Sequence, residues 1–424
     1  MHTTTTDSHH FTSPLSTCIC IIFILALSFP ALNIKVGISL KPYMIFWILV
    51  PIILFFKNKL EVLPVLLCEK FLVIFMFIYI ATILTAQNKQ VSLYYALVLF
   101  YMGVFYLSLR TLLCYIDVQT IKKSIFVSGM MFSIISISMY FIGLSQLSGP
   151  PYTPSGTHVF GVLIDRGIPR LSPFKGDPNM TAFPASIFFY YYLFNDRKMN
   201  KWDNLMNKLA MFFSIAAILL TFSKGTYIAN LLTYFIAQAV IQKNKLRLVI
   251  NYFNLAITLL LMSFLINEFF HINIAQIMAS RFFIHTEDMG SVMSNRNVLW
   301  ETAIKLFFQF PIFGIGLFNF REYSNHYAHN TYLEILCESG VIGFFFYMAF
   351  ILATVYSSYN LIRKNKDMTF VFASITTIII QMIGVSSTTN EIFFFMLALL
   401  IRLHFAHFPD KRKDRFVNRV VSFE

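Results

Sequence analysis

The sequence predicts an all-α polytopic membrane protein, with about twelve transmembrane helices. Two long extracytoplasmic loops are expected, the second containing short amphipathic helices. Three observations carry this expectation. Of the 424 residues, 57% are hydrophobic and only 12% charged, with a mean hydropathy of +0.67, whereas soluble domains carry about 25% charged residues. Apolar runs near the roughly 20 residues that cross a ~30 Å hydrocarbon core as helix recur along the chain. These runs are continuously apolar rather than alternating, which excludes a strand barrel.

The runs fall near 15–33, 41–56, 66–86, 91–113, 124–145, 179–195, 209–222, 226–242, 248–267, 341–361, 368–386 and 391–408. Met1 to Leu15 holds no Lys or Arg, so the first run reads as a retained helix and not a cleaved signal. Basic residues set the orientation. With a cytoplasmic N-terminus, 22 of the 33 Lys and Arg lie in inner loops or at the C-terminal end. The short outer connections hold only Lys35, Lys41, Lys89 and Lys224. Short loops decide topology, so both termini are expected in the cytoplasm. The formal charge of +13 is then orientation and contact with membrane lipids, and no nucleic-acid partner is read from it. Five Cys, scattered over spans and opposite faces, build no disulfide framework.

Residues 1–424 read as a single integral membrane domain, because no Pro-, Gly- or Ser-rich linker sets off a soluble module. Two stretches interrupt the short connectors, both on the outer side. The first, Gln146 to Pro178 (146–178), has too much Pro and Gly for continuous helix and carries Arg166, Arg170 and Lys175. The second runs from Glu268 to Gly340 (268–340). Within it Leu299, Ala303, Leu306, Phe307 and Phe310 recur at helical spacing, Glu301 and Lys305 form an i,i+4 pair, and Pro311 ends the helix. This helix is expected in the outer leaflet interface, with Arg296 in or just before its first turn. Gly314 to Gly316 reads as a flexible turn.

The most informative run follows: His326-Tyr327-Ala328-His329-Asn330-Thr331-Tyr332-Leu333-Glu334. Thr331 and Glu334 match a capping box, predicting a helix from Thr331 to near Gly340. His329 then stands just ahead of a helix N-terminus, where unpaired N–H groups and the dipole favour an anion. The plain alternative is that His329 only shapes the turn. The company of Arg296 and the first-loop cations, with no acidic excess beside them, favours chemistry, and spacing does not separate His329 from His326. Arg166, Arg170, Lys175, Arg296 and Arg321 read singly as headgroup contacts, or together as a diphosphate clamp. Lys224, between two apolar spans with almost no loop, is a functional candidate by its depth, although it can also snorkel to the surface. Asp177 and Pro178 read as a cap and first position of the sixth span, and Glu391 as a first-turn dipole partner. Nucleotide loops, H-E-x-x-H, paired metal cysteines and G-x-S-x-G are missing from the sequence, so no cofactor is expected; the scattered Asp and His leave a metal site open, with none of them at ligand spacing.

The runs "RLSPFKGDPNMTA", "TFSKGTYIA", "NRNVLWETAIKLFFQFPIFGIGLFNF" and "HNTYLEILCESGVIG" resemble the O-antigen polymerase and O-antigen ligase superfamily. The resemblance implies a metal-independent, inverting glycosyltransferase in the bacterial inner membrane, with its active site outside the cytoplasm. It implies transfer of a glycan from an undecaprenyl-diphosphate-linked donor to an acceptor, either another glycan or lipid A-core. The essential His of the family matches His329, and its loop Arg matches Arg296. Lys224 stands where the family commonly has Arg, and Lys lacks the planar fork. His329 is expected as catalytic base with Arg296, Lys224, Arg170, Arg166 and Arg321 on the diphosphate, and Asn330, Glu334 and His326 in support. Polymerase is the preferred reading, with ligase the alternative. A transporter or flippase would show internal half-repeats or ionisable groups at midplane, and the sequence shows no repeat. The third reading is a noncatalytic partner of other polysaccharide-assembly proteins.

Overall fold

The computed structural model describes residues 14–36, 38–44, 64–147, 155–195, 200–242, 244–270, 276 and 289–408. Most of the predicted run at 41–56 and the basic cluster after 408 lie outside them. The other apolar runs become helices, and Asx residues start many of them: α1 (Pro14–Ser28), α2 (Leu67–Ala81), α3 (Lys89–Tyr115), α4 (Val118–Gln146), α5 (Pro178–Leu193), α6 (Lys201–Leu220), α7 (Lys224–Ile241) and α8 (Lys245–Phe270). Then follow α9 (Met289–Gln309), α10 (Phe320–Ser324), α11 (Thr331–Lys364), α12 (Thr369–Gln381) and α13 (Glu391–His407). Asn88, Asp117, Asp177, Asn200 and Asn390 each accept first-turn N–H bonds at the starts of α3, α4, α5, α6 and α13. Glu391 is in the first turn of α13 as expected, and it also bonds Lys41 and Tyr43 beside the small hairpin of β1 (Ile34–Val36) and β2 (Ile38–Leu40).

Five helices, Leu67–Thr85, Lys89–Tyr115, Val118–Gln146, Lys201–Leu220 and Thr331–Lys364, are long and apolar enough to cross a membrane. The predicted twelve are not reached among the described residues. Helix α5 is buried around its whole circumference, the signature of a central helix. It packs against α4, α6 and α12. Its Tyr190, Tyr191 and Tyr192 hydroxyls donate to the carbonyls of Asn230, Lys122 and Phe126, each at 2.6 Å. Apolar rings with satisfied hydroxyls tie two neighbouring helices, α4 and α7, to this one.

Two details depart from expectation. The described part of the first long loop holds a sheet, so the fold is not purely helical: β3 (His158–Val159), β4 (Gly161–Asp165) and β5 (Ile168–Ser172) run antiparallel in the order β3-β4-β5. And Gly314 to Gly316 is a close-packed crossing, not a flexible turn. Ile315 and Gly316 N–H groups donate to the Cys337 and Glu338 carbonyls at 2.9 and 3.0 Å. Those carbonyls are freed because α11 breaks at Gly340, where φ is 63°, the place at which its first segment was expected to end. A Cβ on Gly316 would come within 2.6 Å of Ala86 Cα.

The amphipathic helix forms as predicted, as part of α9, and ends before Pro311. Leu299, Ala303 and Leu306 are buried with Ile315, Phe320, Ala328 and Cys337 in a small core of their own. Phe310, placed on that face by spacing, is exposed, as are Ile304, Phe308, Ile312 and Phe313. The helix therefore has one side on the protein and a second apolar side facing outward.

Candidate active site

The first wall of the site is the β4–β5 hairpin. Asp165 pairs with Ile168, leaving Arg166 (φ 55°) and Gly167 (φ 72°) as a two-residue turn with both residues left-handed, the pattern of a type I′ hairpin. The turn puts Arg166 at the tip. Arg170, on the returning strand, is buried and held by three acceptors. Its Nε donates to the Thr221 carbonyl (2.8 Å), Nη1 to Asp165 Oδ2 (2.9 Å) and Nη2 to Asn179 Oδ1 (3.1 Å). Asp165 also lies 3.8 Å from Arg166. The cations still stand without an acidic excess, but one carboxylate serves two arginines, because a two-residue turn brings positions 165 and 170 together across the strands.

The second wall is the tight connection between α6 and α7. Phe222 is buried in a left-handed conformation (φ 46°), rare for a bulky residue and stabilised here by burial of its ring. The bend aims the N-terminus of α7 at the hairpin. Ser223, its N-cap, makes no side-chain bond to the helix N–H groups and donates instead to Asn179 Oδ1 at 2.8 Å. Lys224, Gly225 and Thr226 then line a cavity of about 320 Å³, with Arg166, Arg170 and Asp165 across from them.

Helix α9 closes the third side with Arg296 and Trp300, one turn apart on the same face. The Trp300 indole N–H donates to the Ala328 carbonyl at 2.9 Å, so the helix carrying Arg296 is tied to the residue before His329. His329 has φ 51°, a conformation in which His is enriched among non-glycine residues. Burial by the surrounding protein, the Arg296 charge and His326 lower its pKa from the usual 6.5, while Asp177 opposes them. Arg296 is itself shifted down by burial and by the charges of Arg166 and Arg170. Among the described residues, four cations and one carboxylate, Asp165, line the cavity; His329 is exposed outside that lining, within reach of the Arg296 charge.

The helix after His329 starts at Thr331 as expected, but its cap is Asn330, not Thr331. Asn330 Oδ1 accepts from the Tyr332 and Leu333 N–H groups at 3.0 and 3.1 Å. The Thr331 N–H donates to the Met382 and Val385 carbonyls, and its hydroxyl donates to the Val385 carbonyl at 2.6 Å. Glu334 reaches back to the Ala328 N–H at 2.7 Å and to Ser386. This N-terminus is thus occupied from within and is not the open anion site that spacing suggested. The uncapped N-terminus facing the cavity belongs to α7.

Of the sequence candidates, Arg166, Arg170, Lys224 and Arg296 come together around the cavity, and His329 is electrostatically coupled to Arg296. Asn330 and Glu334 brace the His329 loop. Arg321 does not line the cavity: its guanidinium lies 4.6 Å from the Tyr327 ring centroid and donates to the Tyr327 hydroxyl. His326 is exposed on the same loop. Asp165, Asn179, Trp300 and Gln381 escaped the sequence reading. Trp300 stands four residues after Arg296, and Gln381 is the polar residue that interrupts "TTIIIQMIG", so both left a trace in the pattern.

Residues 209–348 match the family model described as O-antigen ligase. This stretch is similar to the O-antigen ligase family. It bears out the resemblance to the O-antigen polymerase and ligase superfamily and contains Lys224, Arg296, His326 and His329, whereas the hairpin with Arg166 and Arg170 precedes it. The matched stretch covers about a third of the chain. A search of the curated proteins gives no match.

Proposed function

We propose that the cavity holds the diphosphate of an undecaprenyl-diphosphate-linked glycan and that the protein transfers the glycan to a sugar hydroxyl, as a surface-polysaccharide polymerase at the outer face of the inner membrane. The observation that carries this reading is the convergence of Arg166, Arg170, Lys224 and Arg296 on one cavity with a single carboxylate among them. Fixed cations and an uncapped helix N-terminus stabilise the charge that grows on a departing diphosphate. Arg170, already held by three acceptors, positions the wall and adds field. Arg296 and Lys224 are the phosphate contacts.

His329 is the general base. Its lowered pKa leaves it unprotonated at neutral pH, as a base must be to take the proton of an attacking hydroxyl. The acceptor oxygen forms its bond to the anomeric carbon as the bond from that carbon to the phosphate oxygen breaks. The proton passes to His329 and the electron pair leaves with the diphosphate. Attack opposite the leaving group inverts the anomeric centre, and no step needs a metal. The outward apolar side of α9 (Ile304, Phe308, Ile312 in the segment after it) supports seating in the outer leaflet, level with a lipid-linked donor.

Reconstitution in lipid with a defined undecaprenyl-diphosphate oligosaccharide tests the reading. Transfer is expected from the wild type and not from His329→Ala inserted at equal level; near-normal transfer in that variant refutes the assignment. Ligase and polymerase share this chemistry and differ in acceptor. Supplying a glycan acceptor and lipid A-core side by side separates them, as does gene deletion: single-repeat surface glycan marks a lost polymerase, carrier-bound long chains with bare core a lost ligase.

A further inference from the structure

The cation-lined cavity has one neutral, acceptor-bearing wall. Gln381, the last residue of α12, is 3% exposed and lines the cavity. Its Nε2 donates to Ser186 Oγ (3.1 Å) and Thr377 Oγ1 (3.3 Å), and its Oε1 has no partner among the described residues. Ser186 spends its own proton on the Ala182 carbonyl at 2.8 Å and accepts from Asn230 Nδ2 at 2.9 Å. Asn230 in turn is fixed by donating to the Thr226 carbonyl at 2.9 Å. With these bonds Gln381 presents its NH₂ to Ser186 and turns its oxygen elsewhere.

A buried acceptor left unpaired costs stability and asks for an explanation. A phosphate cannot supply one, since its oxygens are acceptors like Oε1. A hydroxyl can. The cavity, about 320 Å³, is at the small end of ligand sites, so a group bound to its cations also meets this wall. The 381–385 segment is tied to the histidine loop through the Thr331 N–H, which donates to the Met382 carbonyl at 3.0 Å. We infer that Gln381 Oε1 accepts a hydrogen bond from a hydroxyl of the sugar attached to the diphosphate, making Gln381 a specificity-determining residue for the donor glycan. This rests on the donor reading above and adds which part of the donor is read by which wall.

The test uses the full-length protein in lipid, with the undecaprenyl-diphosphate oligosaccharide as donor, its single-deoxy versions at the first sugar, and sugar-free undecaprenyl diphosphate as inhibitor. Wild type should lose about 10- to 100-fold in kcat/KM on one deoxy donor. Gln381→Met should lose a similar factor on the complete donor, little further on that deoxy donor, and keep its inhibition constant for undecaprenyl diphosphate. Equal wild-type turnover of every deoxy donor overturns the inference even if the variant fails to fold. So does a variant whose inhibition constant weakens in step with donor turnover, which marks a general role in cavity shape. Failure of the donor reading looks different: the wild type then neither turns over the complete donor nor is inhibited by undecaprenyl diphosphate, and this inference falls with it.

Discussion

The Trp300 indole N–H meets the Ala328 carbonyl at 2.9 Å, and this bond joins the two segments that carry Arg296 and His329. A neutral intramolecular hydrogen bond contributes about 0.5–1.5 kcal/mol. Trp300→Phe keeps most of the ring and removes the donor, so transfer is expected to fall about 3- to 10-fold. Initial rates on equal amounts of reconstituted protein check this, and an unchanged rate means the bond does not set the relation of base to cation.

The pH profile should have its acidic limb below 6.5. His329 acts unprotonated, and burial and Arg296 lower its pKa, so the rate is flat at neutral pH and falls as pH drops through that lowered value. Arg296→Met removes a charge that disfavours the imidazolium, so the limb of the residual activity moves up in pH. The same sign holds for stability: an imidazole with a lowered native pKa makes the unfolded chain the better proton acceptor, and its contribution is lost as pH falls below about 6.5. A limb that moves down in Arg296→Met contradicts the assignment.

Asp165→Asn leaves Arg170, with 9% of its side chain exposed, short of its carboxylate. Breaking a largely buried pair by removing one partner costs more than the pair contributes, although Asp165 is itself 26% exposed, so about 1–3 kcal/mol is expected. Thermal unfolding in detergent should show a lower midpoint, and addition of undecaprenyl diphosphate should recover less of it than in wild type. No shift would mean that solvent replaces the carboxylate without cost.

Two glycines should behave oppositely. Gly316 has φ 100° and Ala86 Cα 2.6 Å from the place of a Cβ, so Gly316→Ala is expected to cost about 2 kcal/mol or more and to reduce folded yield. Gly225 has nothing within 4 Å of that place and lies on the cavity wall. Gly225→Ala should fold normally and act on donor KM alone. Size-exclusion profiles with donor kinetics separate the two outcomes.

The helical framework was legible because lipid and core both demand long apolar segments: the runs at 91–113, 124–145 and 391–408 reappear as α3, α4 and α13. Caps such as Asp177 were legible for a local reason, since the bond closes within three residues. The cap ahead of α11 was misread by one position. The box pattern at Thr331 and Glu334 is local, but both side chains are claimed from afar, Thr331 by Val385 and Glu334 by Ser386.

His329, Arg296 and Lys224 could be picked out of the chain one by one, as unusual residues among apolar neighbours. Nothing local says that Arg296 and Lys224 share a cavity with Arg166, that Asp165 stands among them, or that the Arg296 charge reaches His329. Those facts depend on a hairpin turn, a left-handed Phe222 and the Trp300 bond, each stabilised by contacts between segments far apart in the chain. Residue type and spacing report the chemistry a side chain can perform. Which side chains act on one substrate is settled by long-range packing, whose free energy no short window of sequence contains.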